Sequence, residues 1–303
     1  MKGVIEDPKY GFRRLESVPQ ESRLKEFYES KYYDILRKGR RGQDLCRLMK
    51  GGSEGDSERE WLCSTLYSDV AALLGEKAGR RGRKRRALLD IGSGTGEFLQ
   101  FMKGKGWKAA GLELSVDARA LAQRRGLEVH GLTAERLLAL QPERRGSFQA
   151  VSLFHVLEHL PDPVRLLKTA RALLSPGGIL VAQVPNDFNP LQMTVTDKLG
   201  AKPWWVVSPD HINYFDFRSL RKVLERLGFE VLHAQGDFPM ELFLLLGKDS
   251  NYVGNPKIGN VCHRRRIRFE TSLAPEVRRR LYQSLGQAGL GRNCLILARR
   301  KRG

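Results

Sequence analysis

From Arg86 onward the chain alternates short apolar runs with stretches in which apolar residues recur every three or four positions. The runs are the mark of buried strands, and the periodic stretches that of helices lying on a sheet. Strands are expected at Ala87–Gly92, Ala109–Leu114, Leu127–Leu132, Phe148–Phe154, Gly178–Val184, Phe229–Ala234 and Asn293–Ala298. Helices are expected between them, at about Gly96–Lys105, Ser115–Arg125, Pro163–Leu174 and Arg218–Leu227. Strands separated by helical crossovers pair in parallel, so the fold class is α/β: a doubly wound, mostly parallel seven-stranded sheet.

The first 79 residues have a different grain. Leu24, Phe27, Tyr28, Tyr32 and Ile35 lie at helical spacing, and Trp61 to Leu74 repeats the pattern. Between them Lys50 to Asp56 (KGGSEGD) reads as a flexible loop. The expected organisation is a helical cap over residues 1–79, a core over 80–236, an insertion over 237–287, and a final strand with a basic tail over 288–303. The insertion, between the last two strands, is far longer than a usual connection of about 4–6 residues. Such a segment is expected to form a ligand pocket together with the N-terminal helices.

Composition adds bounds. With 41% hydrophobic and 29% charged residues among 303, and a mean hydropathy of −0.41, the chain reads as soluble and globular. The longest strongly apolar run, Met240 to Leu246, is far shorter than the roughly 18 residues of a membrane span. Met1 to Arg14 has no apolar core of an export signal, so a cytoplasmic location is expected. Cys46, Cys63, Cys262 and Cys294 lie far apart with no C-x-x-C pair, against a disulfide framework or a zinc knuckle. The abnormal quantity is a net charge of +19. It is concentrated at Arg37–Arg41, Arg80–Arg86, Arg264–Arg266, Arg278–Arg280 and Arg299–Arg302, and it makes RNA or another polyanion a candidate partner.

The strongest chemical signal is Leu88-Leu89-Asp90-Ile91-Gly92-Ser93-Gly94-Thr95-Gly96-Glu97, a strand running into a glycine-rich turn and a new helix. Such a turn exposes backbone N–H groups, and its glycines remove the Cβ atoms that would hold a ligand away. Glu97 stands where the dinucleotide fingerprint needs its last glycine, which disfavours nicotinamide and flavin cofactors. The next strand ends in Gly111-Leu112-Glu113-Leu114-Ser115. Glu113 follows the turn at close to the ~20-residue spacing at which a carboxylate meets a ribose.

On these residues the sequence resembles the class I S-adenosylmethionine (SAM)-dependent methyltransferases. LLDIGSGTGEFL is similar to their first motif, GLELS to the ribose-binding strand end, FHVLEHLPDP to the fourth-strand segment, and LLSPGGILVAQVPN to the fifth strand and its approach. SPDHINYFDFRSLRKVLERLGFEVL and the lead-in YGFRRLESVPQESRLKEFYESKYY resemble the branch that includes ubiquinone-type and sugar or natural-product enzymes. The resemblance implies a Rossmann-like fold with an N-terminal helical cap, and SAM as cofactor with S-adenosylhomocysteine as product. It implies that Gly92, Ser93, Gly94 and Gly96 line the methionine end, Asp90 braces the turn and Glu113 holds the ribose. Thr133, Ala134 and Glu135 fall where relatives contact adenine, with threonine replacing the usual acid. Phe154 and His155 would face the sulfonium and the substrate.

His155-Val156-Leu157-Glu158-His159 also spells the inverted zinc-peptidase signature. That site needs a sustained helix, and Pro161 and Pro163 follow at once, so no metal is expected. His211, in Pro209-Asp210-His211-Ile212-Asn213, falls on a loop returning to the strand ends where open α/β sheets bind ligands. It is the expected acceptor-side base, His155 being the other imidazole near the cofactor. Trp204 and Trp205, on the same loop, are candidates to wall the acceptor or cover the cofactor. The function expected is methyl transfer from SAM to a small molecule, an O-methylation of a sugar, polyketide or quinone-like metabolite. The alternatives are an RNA methyltransferase using the basic surface and a non-catalytic SAM-binding protein. The fourth strand ends in SLFHVLEH, which lacks the N/D-P-P-Y type used on base amines, so RNA serves better as a non-specific polyanion than as substrate.

Overall fold

The structure, a computed structural model, describes residues 3–18, 47–49, 51–77, 86–208, 210–247 and 250–302. Strands β1 (Val4–Glu6) and β2 (Arg13–Leu15) form a hairpin at the start of the chain. Then come β3 (Ala87–Ile91), β4 (Lys108–Leu112), β5 (Glu128–His130), β6 (Phe148–Phe154), β7 (Leu174–Pro185), β8 (Asn213–Tyr214), β9 (Phe229–Gln235) and β10 (Asn293–Arg300).

Seven of these make one sheet in the order β5-β4-β3-β6-β7-β10-β9. All neighbours are parallel except β10, which runs antiparallel to both β7 and β9. The doubly wound, mostly parallel α/β sheet is therefore present, with the seven expected strands. Both faces are covered, which explains why the central strands read as unbroken apolar runs rather than alternating ones. Leu89, Ile91, Val151 and Leu180 pack into a cluster with the Pro163–Leu173 and Phe217–Arg226 helices on one face. Leu88, Ala150, Ile179 and Val181 pack with the Leu66–Lys77 and Glu97–Gly104 helices on the other. The chain leaves β3 for β4 on one side and returns to β6 on the other, so the carboxyl ends of β3, β4 and β6 border the crevice where the strand order reverses.

The described N-terminal residues depart from the expected cap. Residues 3–18 are a β-hairpin that pairs with β8 through Arg13 and Arg14, not the start of a helix. Asp7 shapes its turn, accepting from the backbone N–H groups of Lys9 and Tyr10 at 3.0 and 2.7 Å. The helical spacing expected from Leu24 to Ile35 and the Arg37–Arg41 and Arg80–Arg85 runs lie outside the described residues. KGGSEGD is not a loop either, for a helix spans Gly52–Ser64. A side chain at Gly55 would meet the Arg47 carbonyl at 2.6 Å, so tertiary packing uses the small residue that local propensity would assign to a loop.

A buried ionic network ties the Gly52–Ser64 and Leu66–Lys77 helices to the Pro256–Ser272 and Pro275–Gln287 helices of the insertion. Arg278 grips Asp69 through two bonds of 3.0 Å, and Glu58 accepts from Arg47 at 2.8 Å and meets His263 at 2.9 Å. Glu270 accepts from Trp61, Tyr282 and Arg266. Among the described residues no helix is long and apolar enough to cross a membrane.

Candidate functional site

Between β3 and the Glu97–Gly104 helix the chain makes a turn that is tied to the end of β4. The N–H groups of Gly92 and Ser93 both donate to the Leu112 carbonyl, at 2.8 and 3.1 Å. Glu113 completes the link, with Oε2 accepting from Gly94 N–H at 2.9 Å and Oε1 from Ser115 N–H at 2.8 Å. Burial pushes the Glu113 carboxyl up, against the pull of those two backbone donors. Close approach of turn and strand depends on Gly111, where a Cβ would come 2.5 Å from Ser93 Oγ. Gly94 has φ +55 and open space in front of it, so the turn presents a bare backbone cradle. Ser93 Oγ is buried beside it without a partner.

Asp90 lies under the turn and accepts from Ser152 Oγ at 2.6 Å. Burial raises its carboxyl to about 7 despite that bond. Glu97 is engaged by Thr95 and by Arg125 at 2.9 Å, so the residue that broke the dinucleotide pattern is a structural pin at the helix start. Thr133 caps the Ala134–Leu140 helix, its hydroxyl accepting from Arg136 N–H at 3.1 Å, and Ala134 is buried. Thr133, Ala134, Glu135, Phe154 and His155 border the same cavity as the glycine turn.

At the end of β6 the chain turns sharply. His155 adopts φ +55, a left-handed conformation that residues with a Cβ rarely take, and its N–H is fixed on the Gln183 carbonyl at 2.9 Å. Its Nδ1 lies 3.2 Å from Glu158 Oε1, while the imidazole is 45% exposed and Glu158 only 1%. Burial opposes ionisation of Glu158, but the His155 hydrogen bond and the fields of His159, His155 and His211 hold its carboxyl below the ordinary value. The ionised carboxylate can only accept, so Nδ1 is the donor in this bond.

Leu157–His159 is a single 3-10 turn, not the sustained helix of the zinc-peptidase signature. It interlocks with the 210–214 segment: Ile212 N–H donates to the Glu158 carbonyl at 2.7 Å, and Asn213 donates to the Leu157 and Leu160 carbonyls. His159 pairs through Nδ1 with the Asp210 carbonyl at 2.8 Å, and its ring meets His211 edge to face at 5.0 Å. Glu158, His159 and His211 thus bring three ligand-type atoms within 4.8 Å of one another. Burial and the neighbouring His159 push the His211 imidazole down to about 4, and its Nδ1 has no hydrogen-bond partner.

The far wall contains residues that the sequence did not single out. Asp187 follows β7, Gln192 lies on the Pro190–Leu199 helix, Glu241 opens the Glu241–Leu245 helix, and Tyr252 precedes the Pro256–Ser272 helix. All four line the cavity with Trp204 and Trp205, whose rings meet edge to face at 4.9 Å. The cavity measures about 1530 Å³. That exceeds the ~300–1,000 Å³ usual for one small ligand, and it leaves room for two.

Comparison with known proteins gives this geometry a family. Residues 63–234 match the family model described as a methyltransferase domain. Among curated proteins, the chain is 32% identical over 109 residues to the ubiquinone biosynthesis O-methyltransferase of Pseudomonas aeruginosa (strain LESB58), covering 34% of this chain and 44% of that protein. It is 34% identical over 130 residues to the protein of the same name from Caulobacter sp. (strain K31), covering 41% and 50%. The chain thus spans half or less of the length of these curated relatives. A SAM-dependent methyltransferase from Archaeoglobus fulgidus has the same fold, with a TM-score of 0.54 at 20% identity over 89% of this chain and 100% of that one. Since the family match runs over more than half of the chain and takes in the glycine turn, Glu113 and the His155 segment, this chain belongs to the class I SAM-dependent methyltransferases.

Proposed function

We propose that this methyltransferase transfers the methyl group of SAM to a hydroxyl oxygen of a small molecule by direct displacement. The observation that carries this reading is His155, held in a strained conformation beside the glycine turn with Glu158 on its Nδ1 and its other face toward the cavity. The residues present fit SAM. A bare cradle at Gly94, an unpartnered Ser93 Oγ and a carboxylate already aligned by two backbone N–H groups are what a methionine tail and a ribose require.

In this reading Gly92, Ser93, Gly94 and Gly96 flank the methionine end, braced by Asp90, and Glu113 takes the ribose hydroxyls. Thr133, Ala134 and Glu135 border the adenine, Thr133 mainly through its backbone because its hydroxyl caps a helix. Phe154 packs on Phe98 at 4.8 Å and shields the reacting centre from water. SAM supplies an activated methyl group, so the protein contributes alignment, exclusion of water and a proton acceptor. His155 Nε2 takes the hydroxyl proton as the new O–CH₃ bond forms and the S–CH₃ bond breaks, while Glu158 holds the imidazolium that results. His211, pushed down to about 4, is a neutral but weak base, and we assign it to support behind His159 and Glu158.

Part of the basic charge lies inside the fold, where RNA would not meet it. Arg266 and Arg278, members of two of the basic runs, are buried in ion pairs with Asp237, Glu270 and Asp69. The free cysteines Cys63, Cys262 and Cys294 accord with a reducing, cytoplasmic setting. The test is transfer of labelled methyl from SAM into a metabolite extract, with His155→Ala and His211→Ala alongside. His155→Ala should lower turnover by roughly 10²–10⁴, the usual share of general acid–base catalysis, at nearly unchanged SAM affinity. A larger loss in His211→Ala than in His155→Ala would return the base to His211.

A further inference from the structure

Three oxygen atoms on the far wall of the cavity are buried and unpartnered. Asp187 Oδ2, Gln192 Oε1 and Glu241 Oε2 belong to residues only 3%, 4% and 2% exposed, and none has a hydrogen-bond partner. They come from three separate elements, the exit of β7, the Pro190–Leu199 helix and the Glu241–Leu245 helix, and all three residues line the cavity. Buried polar atoms are almost always satisfied, so three unpartnered oxygens on residues that line one cavity mark a place for donors from a ligand. The indole of Trp205, 6% exposed on the same wall, holds an unpartnered Nε1–H. Trp204 adds a second indole at 4.9 Å.

We infer that the acceptor is a polyhydroxylated, sugar-type molecule, resting this on the hydroxyl methylation proposed above. A pyranose carries several O–H groups around its rim and apolar C–H faces. The rim supplies donors to Asp187, Gln192 and Glu241 and an acceptor to Trp205, and the C–H face lies against the indoles. A catechol-type quinol fits less well. Its two adjacent hydroxyls leave from one edge of a flat ring, and one of them must reach His155.

A cationic amine fits less well too, because it needs ionised carboxylates opposite it. Burial, with Glu158 and Glu241 near, pushes the Asp187 carboxyl well up, and burial raises Glu241 as well, while Arg292 already faces Glu241. A hydroxyl both donates and accepts, so it matches these carboxyls whether or not they carry a proton.

The full chain saturated with S-adenosylhomocysteine is probed by saturation-transfer NMR against methyl glycosides of rhamnose, glucose and N-acetylglucosamine, with catechol and dopamine alongside. The same probes are offered with labelled SAM. At least one glycoside should bind and take up label. Gln192→Met, which keeps the volume and removes the amide together with its bond to Glu241, should weaken that binding about tenfold, the effect of one lost hydrogen bond. Asp187→Asn, which keeps a neutral oxygen, should largely preserve it. S-adenosylhomocysteine affinity should be unchanged in both variants. Binding of catechol or dopamine alone, no glycoside binding, or glycoside binding indifferent to Gln192→Met would each overturn the assignment. A wild-type chain that binds no S-adenosylhomocysteine would instead strike the reading beneath it.

Discussion

Glu113 carries two duties in one carboxylate. It accepts from Gly94 and Ser115 N–H, which shapes the turn, and the same oxygens are the proposed ribose ligands. Glu113→Ala should therefore weaken SAM binding by about 1.5–3 kcal/mol, the range for hydrogen bonds to a charged group, as read by calorimetry. An unaltered dissociation constant would confine Glu113 to the turn.

His211 gives a pH signature. Unfolded, its imidazole titrates near the ordinary value of about 6.5, whereas in the folded chain burial and His159 lower it to about 4. Between those values the unfolded chain binds a proton that the native chain refuses. The contribution of His211 to stability is thus full above pH ~6.5 and falls as pH drops toward 4, by about 3 kcal/mol. His211→Gln cannot titrate. Urea unfolding of the two proteins across that range should show the wild type losing stability relative to the variant as pH falls, and parallel curves would reject the lowered value.

At the scale of elements, the glycine turn is the joint between β3 and β4 and the proposed cofactor cradle. Gly94→Val places a branched side chain at φ +55 in the open space before the turn. SAM binding should be abolished in a titration, with folding retained by circular dichroism, and unchanged affinity would remove this turn from the site.

The joint was legible in the sequence because its residues are neighbours. The turn needs positive φ and glycine supplies it, and Glu113 comes at a fixed spacing because one helix and one strand separate the two. The seven strands were legible for a related reason, since a strand buried on both faces must be apolar throughout. Asp187, Gln192 and Glu241 were not legible, because they meet only when three elements fold together and no spacing announces them. The Gly52–Ser64 helix was hidden by KGGSEGD, whose composition favours a loop until Arg47 packs on Gly55. The Asp7–Gly11 turn of the hairpin did leave a signal in Asp-Pro-Lys-Tyr-Gly, masked by the helical spacing of Leu24, Phe27, Tyr28 and Tyr32 farther along the chain.

At the scale of the whole molecule, the cavity is roofed by segments far apart in the chain and joined by buried charge. Arg278, 2% exposed, is held on Asp69 across 209 positions of sequence. Arg278→Met leaves Asp69 buried without that partner, and breaking such a pair typically costs about 3–5 kcal/mol. Arg279 at 3.4 Å from Asp69 will offset part of this. Urea denaturation should show the loss, and a change below about 1 kcal/mol would mean that the pair is exchangeable for an apolar contact.

The same network limits how this enzyme can be recombined. Residues 256–287 are tied across the interior to helices that precede the first strand of the main sheet, Arg278 to Asp69, His263 to Glu58 and Glu270 to the Trp61 indole. A chimera that grafts this segment onto a relative's core, without residues 52–77, would bury Arg278 without Asp69, His263 without Glu58 and Glu270 without the Trp61 indole. The two segments are therefore portable only as a two-part cassette, and in a lineage that replaces one of them the other should be replaced with it.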